Sequence, residues 1–477
     1  MRLVSVRRLV VAAIIAGIGL RVWVLASPLG ALDADEGVWG LMARHARHGE
    51  LPVFFWGQNY GGTQETLLTA PVFALAGAGA ITVRLIPIVL FTLAALLVWR
   101  VGRRTVGEEG ARLGAALFWI WPAYLVWKST RAHGFYGAAL VLGLAIMLLA
   151  LRLRERDSAA DAAALGLAVG LGWWATPQIA FVALPALAWL LWRRPAVARY
   201  AWLAAAGVLV GASPWLGWNV THGWESLDTP FGRGGDTYID HLQTFFYATL
   251  PAALGLRVPF TVDWISGLVV GRLLEVAALA GVAVLLVRRR RRRELLLVIG
   301  FSYPLVQSLS SFSSLNDEPR YLVLLAPVLA LLLGELLARR PLLAGAGAAA
   351  AFAASAAGLA SMRSEPLPVP PVGGERGPAD LDPALRALER AGATRVLAHY
   401  SIAYRISFES GERILAGSTG QVRDRHADRV VRGSPHPAYV FIARSPAELA
   451  LAHDFGRRGY HRIVAGEWAV YVHRDSS

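Results

Sequence analysis

The sequence predicts a polytopic α-helical membrane protein of about eleven spans, with a small extramembrane α/β domain after the last span. Three observations carry this reading. The 477 residues are 55% hydrophobic and only 17% charged, with a mean hydropathy of +0.46, too apolar for a soluble domain. The apolar residues fall in blocks of about 17–22, long enough to cross a hydrocarbon core of about 30 Å as helices. Short arginine clusters separate the blocks, as the positive-inside bias arranges cytoplasmic loops. A signal peptide would account for one block, not for a series running from Leu9 to Ala360.

Read from the blocks and their flanks, the spans fall at approximately 9–26, 82–99, 112–127, 134–151, 160–176, 177–192, 200–218, 267–287, 294–311, 321–338 and 342–360. With the N-terminus inside beside Arg7 and Arg8, every predicted inner loop is basic. These loops hold Arg100, Arg103 and Arg104, then Arg152, Arg154 and Arg156, then Arg193, Arg194 and Arg199. The run 288–293 and the pair Arg339 and Arg340 follow. Counting 66–80 as a span would reverse the parity. It is about fifteen residues long and carries Pro71, short for a crossing, and reads as an interfacial helix on the outer face.

A net charge of +14 and a pI near 10.6 would suggest nucleic acid in a soluble protein. Here the arginines flank spans, so the charge reads as a cytoplasmic margin attracted to anionic lipid, and no nucleic-acid partner is expected. The chain has no cysteine, which excludes disulfides, thiolate metal sites and thiol nucleophiles. The parity delivers the chain outside after its last span. A transmembrane region, 1–362, is followed by a proline- and glycine-rich linker, 363–383, and a domain, 384–477, in which helical and strand patterns alternate. In it, 385–391 and 446–457 read as helices, 395–399 and 438–443 as strands, and 460–464 with 468–472 as a hairpin around Gly466.

The chemistry-bearing residues fall in the outer loops. The first, 27–81, holds Asp33, Asp35 and Glu36 directly after span one, then His45, His48, Glu50 and Glu65. Three carboxylates within four residues at a membrane boundary are unfavourable unless solvated, paired or used. The plainer reading is a solvated turn in which Asp35 caps a helix over 37–48. Their company argues otherwise: Phe54, Phe55, Trp56, Gln58, Asn59 and Tyr60 are followed by Gly61, Gly62 and Glu65. Aromatic faces suit sugar rings, amides suit hydroxyls, and a glycine pair lets backbone approach closely.

Two other outer turns are cationic. Lys128, the only lysine, stands with Arg131 and His133 between spans three and four, while Asn316, Asp317, Glu318, Arg320 and Tyr321 precede span ten. Snorkelling to headgroups is their plainer reading. Facing an acidic loop, they would instead make a site that handles an anionic leaving group and a base together. The long outer loop 219–264, with His222, Glu225, Asp228, Asp236, Asp240 and His241, reads as a solvated loop with some acceptor contact.

In order along the chain come span one, an outer Asp35-Glu36 leading into a helix, an aromatic segment ending in Glu65, Arg84 at the outer start of a span, and Arg320-Tyr321 before a late span. This order resembles the GT-C superfamily of polyprenyl-phosphate-sugar glycosyltransferases, and is most similar to the protein O-mannosyltransferases and the lipid A aminoarabinose transferases. Residues 33–152 and the run Asp317-Glu318-Pro319-Arg320-Tyr321-Leu322 carry the resemblance; hydropathy alone matches the middle. It implies Asp35 as the first-loop catalytic aspartate with Glu36 beside it, and Glu65 as the second first-loop acid. Arg131 and Tyr136 resemble an Arg-x-Tyr region of the family, with a longer spacing in which His133 intervenes. The C-terminal domain does not resemble the acceptor-binding lumenal domains of the eukaryotic members.

The implied reaction moves a hexose or pentose from a polyprenyl-phosphate donor to a lipid, glycan or protein acceptor, without nucleotide. It is placed at the outer (periplasmic or extracellular) face of the plasma, or inner, membrane. An acceptor hydroxyl is too weak an acid to attack unaided, so a carboxylate must take its proton, and Asp35 is the candidate. Lys128, Arg131, His133, Arg320 and Tyr321 are candidates for holding the leaving phosphate. Asp33, Gln58, Asn59, Tyr60 and Tyr136 are candidates for contacting sugar or acceptor. A single displacement would invert the anomeric carbon. Asp33 and Asp35 with Glu65 or a histidine also offer hard oxygen and nitrogen ligands, which leaves a divalent cation open. The alternative class, a lipid-linked-sugar flippase or transporter, would bury charges near mid-span. The predicted spans are nearly charge-free, with Glu275 and Glu335 near ends, which favours an enzyme working at one face.

Overall fold

The computed structural model of the protein describes residues 6–228, 237–261, 263–288, 291–310, 319–364 and 378–474. Asp236, Asn316, Asp317 and Glu318, and most of the predicted linker, lie outside them. Helix falls in every predicted span. Among the described residues five helices are long and apolar enough to cross a membrane: Val6–Ala26, Thr82–Thr105, Tyr136–Glu155, Leu268–Val287 and Pro341–Met362. The pair Pro177–Arg193 and Pro195–Gly211, bent by 118°, makes a sixth if it is one span. The expected eleven is therefore not carried by helix length, because the remaining apolar helices are short, as Ala159–Ala175 and Ala326–Leu337 are, or interrupted. Glu108–Ile120, for example, stops before Pro122 and restarts as Ala123–Lys128.

Small residues set the helix packing. A β-carbon on Gly166 would stand 1.9 Å from the Ala204 carbonyl oxygen, and one on Gly207 2.4 Å from that of Ala163. Only glycine permits this approach of Ala159–Ala175 to Ala201–Gly211. Ion pairs gather at one end of the bundle: Arg104 with Glu155, Arg152 with Asp161 at 2.7 Å, Arg194 with Asp157 at 2.9 Å, and Arg293 with Glu335. This is the end at which the predicted inner loops carry their arginines.

At the other end the first loop is ordered as two helices, Ala34–Ala46 and Gln64–Ala76. The second covers most of the helix expected at 66–80, starting two residues earlier and ending four earlier. The first begins three residues earlier than expected, and its N-cap is Asp33, not Asp35: the Glu36 backbone N–H donates to Asp33 Oδ1 at 3.0 Å. Asp35 thereby falls in the first helical turn, with its carboxylate released from capping.

The small domain is a five-stranded sheet of order β2-β1-β3-β5-β4, with β1 Arg395–Ala398, β2 Leu415–Ser418, β3 Ala438–Ile442, β4 Tyr460–Ala465 and β5 Trp468–His473. β1 runs parallel to β2 and β3, and β5 antiparallel to β3 and β4. The expected hairpin, both strands before it and the helices Asp382–Arg390 and Pro446–Arg457 are present. Helices Tyr400–Glu409 and Arg425–Arg432 and strand β2 are additions that the sequence reading did not contain.

Helix Tyr400–Glu409 has two apolar faces. Ile402, Ala403 and Ile406 pack into the sheet's core, whereas Tyr400, Tyr404 and Phe408, spaced by four, pack with Val38, Trp39 and Met42 of the first loop. The approach is close: a β-carbon on Gly37 would stand 2.7 Å from the Tyr404 carbonyl, and one on Gly40 2.3 Å from the Phe408 ring. At the rim Glu412 accepts from Arg44 at 3.1 Å and pairs with His45 at 2.8 Å. Its hydrogen bond to Glu412 raises the His45 imidazole to about 9. A raised folded-state value means that this contact stabilises docking fully below the ordinary histidine range, about 6.5, and is lost as pH rises through about 9. Hydrogen exchange in helix Tyr400–Glu409, corrected for intrinsic rates, should therefore lose protection between pH 7 and 10. His45→Gln should flatten that dependence; an unchanged profile in the variant would assign the pH effect elsewhere.

Candidate active site

Asp33 and Glu36 lie one turn apart at the start of helix Ala34–Ala46, so both carboxylates point to the turn that follows Lys128. Glu36 is fully buried. It accepts from Arg84 Nε at 2.7 Å and Nη2 at 2.6 Å, from Arg131 Nη1 at 2.7 Å and from the Ala132 backbone N–H at 3.2 Å. Arg84 also donates to the Gly30 carbonyl at 2.7 Å and Arg131 to that of Ala31 at 2.6 Å. Burial alone would raise the Glu36 carboxyl, but Arg131 and Arg84 outweigh it and hold it below its ordinary value. Asp33 bonds His133 Nε2 and lies 3.6 Å from Arg131. Burial would raise Asp33 as well; His133 and Arg131 hold it well below the usual carboxylate range. Burial pushes His133 down, against Asp33 and with help from Lys128.

Glu65, the second first-loop acid, is buried at the start of helix Gln64–Ala76 and accepts from the Ala138 backbone N–H at 2.9 Å. It thus caps the first turn of helix Tyr136–Glu155. Burial pushes it up to about 7, against the Ala138 N–H and Lys128. Lys128 is buried, with Nζ 4.3 Å from the centre of the Tyr136 ring. Burial, then Arg320, push the amine down to about 7, while Asp35, Asp33 and Glu65 oppose the shift. The Lys128 amine is therefore poised to change charge near neutral pH, and a nearby anion would favour its charged form.

Beside this buried layer is a cavity of about 480 Å³. Asp35, Gln58, Asn59, Tyr60, His133, Tyr136, Arg320 and Tyr321 line it, eight of the residues singled out from sequence. Phe54, Phe55, Trp173, Trp174, Trp215 and Phe181 supply aromatic walls. Asp33, Glu36, Glu65, Lys128 and Arg131 do not line it; they form the charged support behind it. The loop 54–62 folds back on itself, with the Phe55 N–H donating to the Gly61 carbonyl at 2.9 Å. Its glycine pair serves packing: β-carbons on Gly61 and Gly62 would meet Phe135 at 2.5 Å and the Trp174 carbonyl at 2.4 Å.

A further wall comes from the small domain, whose role the sequence left open. Arg423 lines the cavity, donates from Nη1 to Gln58 Oε1 at 2.7 Å, and lies 5.0 Å from the Phe55 ring centre. The Tyr400 hydroxyl donates to Asp35 Oδ1. The available sequence signal was Gly37 and Gly40, three apart on a helix otherwise rich in side chains, which mark a close approach by another element.

Among the described residues one group could gather three ligand atoms on a cation, Asp33, Glu36 and His133, all within 4.8 Å of one another. Its donor set is already satisfied: both Glu36 oxygens hold guanidinium groups and Asp33 holds His133. The set suggested from sequence, Asp33 and Asp35 with Glu65 or a histidine, is not assembled as one such group.

Residues 66–218 match the family described as dolichyl-phosphate-mannose-protein mannosyltransferase. No curated protein matches the chain in sequence. Among solved structures, ArnT from Cupriavidus metallidurans bound to undecaprenyl phosphate aligns at a TM-score of 0.60 and 14% identity, over 97% of this chain and 97% of that one. The apo state of the same protein aligns at 0.57 and 13%, over 91% and 92%. The archaeal oligosaccharyltransferase AglB from Archaeoglobus fulgidus, in complex with an inhibitory peptide and a dolichol-phosphate, aligns at 0.53 and 12%, over 98% of this chain and 74% of that one. The resemblance read from the sequence therefore holds: this chain is a multi-pass membrane protein with the fold of the GT-C glycosyltransferases.

Proposed function

We propose that the protein is a membrane glycosyltransferase that moves a sugar from a polyprenyl-phosphate donor to an acceptor hydroxyl, with Asp35 as general base. The observation that carries this reading is a single aromatic-walled cavity in which the Asp35 carboxylate and the Arg320 guanidinium both stand. Structures that share the fold were solved with undecaprenyl phosphate and with a dolichol-phosphate, which supports a polyprenyl-phosphate donor here.

In this reading the acceptor oxygen attacks the anomeric carbon as the bond to the phosphate oxygen breaks. The electron pair stays on the phosphate and the acceptor's proton passes to Asp35. One displacement inverts the anomeric carbon. Arg320, a permanent cation, and Lys128 behind Tyr136 stabilise the departing phosphate. The aromatic walls exclude water and stack on the sugar, and Gln58, Asn59 and Tyr60 orient sugar or acceptor. The buried Glu36, Arg84 and Arg131, with the half-buried Asp33, hold the loop in place. The cavity lies at the bundle end opposite the arginine-rich ion pairs, which supports an outer, periplasmic or extracellular, site in the inner membrane, with the N-terminus inside and the small domain outside.

The test is transfer by the full chain in proteoliposomes, comparing radiolabelled polyprenyl-phosphate sugars with nucleotide sugars. Release of label from the lipid with only the former is the expected result. Movement of intact labelled lipid across the bilayer, with no transfer, would overturn the reading in favour of a transporter. Within an active preparation, Arg320→Ala should lower kcat/KM by about 30- to 1000-fold, the equivalent of ~2–4 kcal/mol of phosphate stabilisation. Steady-state kinetics at saturating acceptor checks it, and a loss below threefold would remove Arg320 from the phosphate site.

A further inference from the structure

We propose that Tyr400, delivered by the small domain, is the positioning residue of Asp35: its hydroxyl holds Oδ1 so that Oδ2 is presented to the acceptor. The inference rests on the reading of Asp35 as the base and adds the group that aims it.

The geometry is a directed chain. Arg423 Nε donates to the Tyr400 oxygen at 3.4 Å, and the Tyr400 hydroxyl donates to Asp35 Oδ1. Asp35 Oδ2 accepts no hydrogen bond from any described residue, and Asp35 lines the cavity. A carboxylate with one oxygen tied and the other facing the reactants loses the side-chain freedom that would otherwise be lost in reaching the transition state. Burial and the neighbouring Asp35 push the Tyr400 phenol well above its ordinary value. It therefore stays protonated at neutral pH and acts as a donor to Asp35, not as a competing base. The acceptor's proton goes to Asp35 Oδ2 while Tyr400 keeps its own.

The position of Tyr400 is fixed independently of Asp35. It opens helix Tyr400–Glu409, whose far face is locked in the sheet by Ile402, Ala403 and Ile406. Its ring meets that of Tyr404 at 5.5 Å, and Arg423, tied to Gln58, closes the other side. The small domain is thus a wall of the reaction site and not an appendage to it.

The experiment uses the full chain in proteoliposomes with a radiolabelled polyprenyl-phosphate sugar. Tyr400→Phe should lower kcat by about tenfold to a hundredfold with donor KM within about twofold, since the donor phosphate is held by other residues. Incorporation of 3-fluorotyrosine at position 400 restores the hydroxyl and should return kcat to within about threefold of the parent. A Tyr400→Phe enzyme that keeps more than half of kcat, or one whose loss falls on KM alone, overturns the proposal. The same fluorinated protein gives a readout independent of turnover. Its ¹⁹F resonance, titrated against pH, should show a phenol pKa that falls by at least about one unit when Asp35→Asn is added. No fall means that the two side chains are not coupled and overturns the proposal whatever the kinetics. A parent protein that transfers no sugar from any polyprenyl-phosphate donor refutes the proposed function instead, and the titration then still decides the Tyr400–Asp35 contact.

Discussion

Asp35→Asn is expected to lower the rate of the proposed sugar transfer by about 10²–10⁴-fold, with donor binding and thermal stability nearly unchanged. The size follows from what is removed. Asparagine keeps the volume and the hydrogen bond to Tyr400 but has no basic lone pair strong enough to take the acceptor's proton. The stability statement follows from the position. Asp35 lines the cavity, caps nothing and forms no ion pair with a described arginine, its one hydrogen bond from a described residue being that from Tyr400. Single-turnover transfer, donor-binding isotherms and thermal unfolding in detergent check the three parts. A variant that retains more than a tenth of parental transfer would remove Asp35 as the base.

The neighbouring carboxylate gives the opposite pattern. Glu36→Gln leaves Arg84 and Arg131 buried with a neutral partner, and removal of one member of a buried ion network costs about 3–5 kcal/mol. Glu36 is inaccessible to any ligand in the cavity and two guanidiniums and a backbone N–H converge on it. The expected outcome is a strong fall in folded yield and unfolding temperature, with transfer falling in proportion to folded protein. Normal stability with lost turnover would instead make Glu36 a direct participant. Measured side by side, the two adjacent acids of one motif separate chemistry from architecture.

How legible was this in the chain itself? The membrane helices were, because blocks of about 17–22 apolar residues have few other uses. The convergence of Asp35, Arg320 and the Gln58–Tyr60 segment on one cavity followed from assigning their loops to the same side of a bilayer. The division of labour among the acids was not legible. Asp33, Asp35 and Glu36 are equivalent in composition, and one helical turn separates a cap, a cavity carboxylate and a buried counter-ion. The N-cap shift from Asp35 to Asp33 illustrates it: both residues are good caps, and Asp33, which caps through Oδ1, also bonds His133 through Oδ2.

The small domain shows the other limit. Its hairpin and helix Pro446–Arg457 follow from period and turn residues. Helix Tyr400–Glu409 eluded that logic because it buries both faces, one in its own sheet and one against the first loop, so no amphipathic stripe remains to be read. The sequence alone determined that this is a membrane protein with an acidic first loop and cationic turns, because hydropathy and charge parity act over short stretches of chain. Only the tertiary structure decided which acid faces the cavity and that Tyr400 and Arg423 meet it, because those contacts join residues more than 360 positions apart and depend on how two separately patterned units dock.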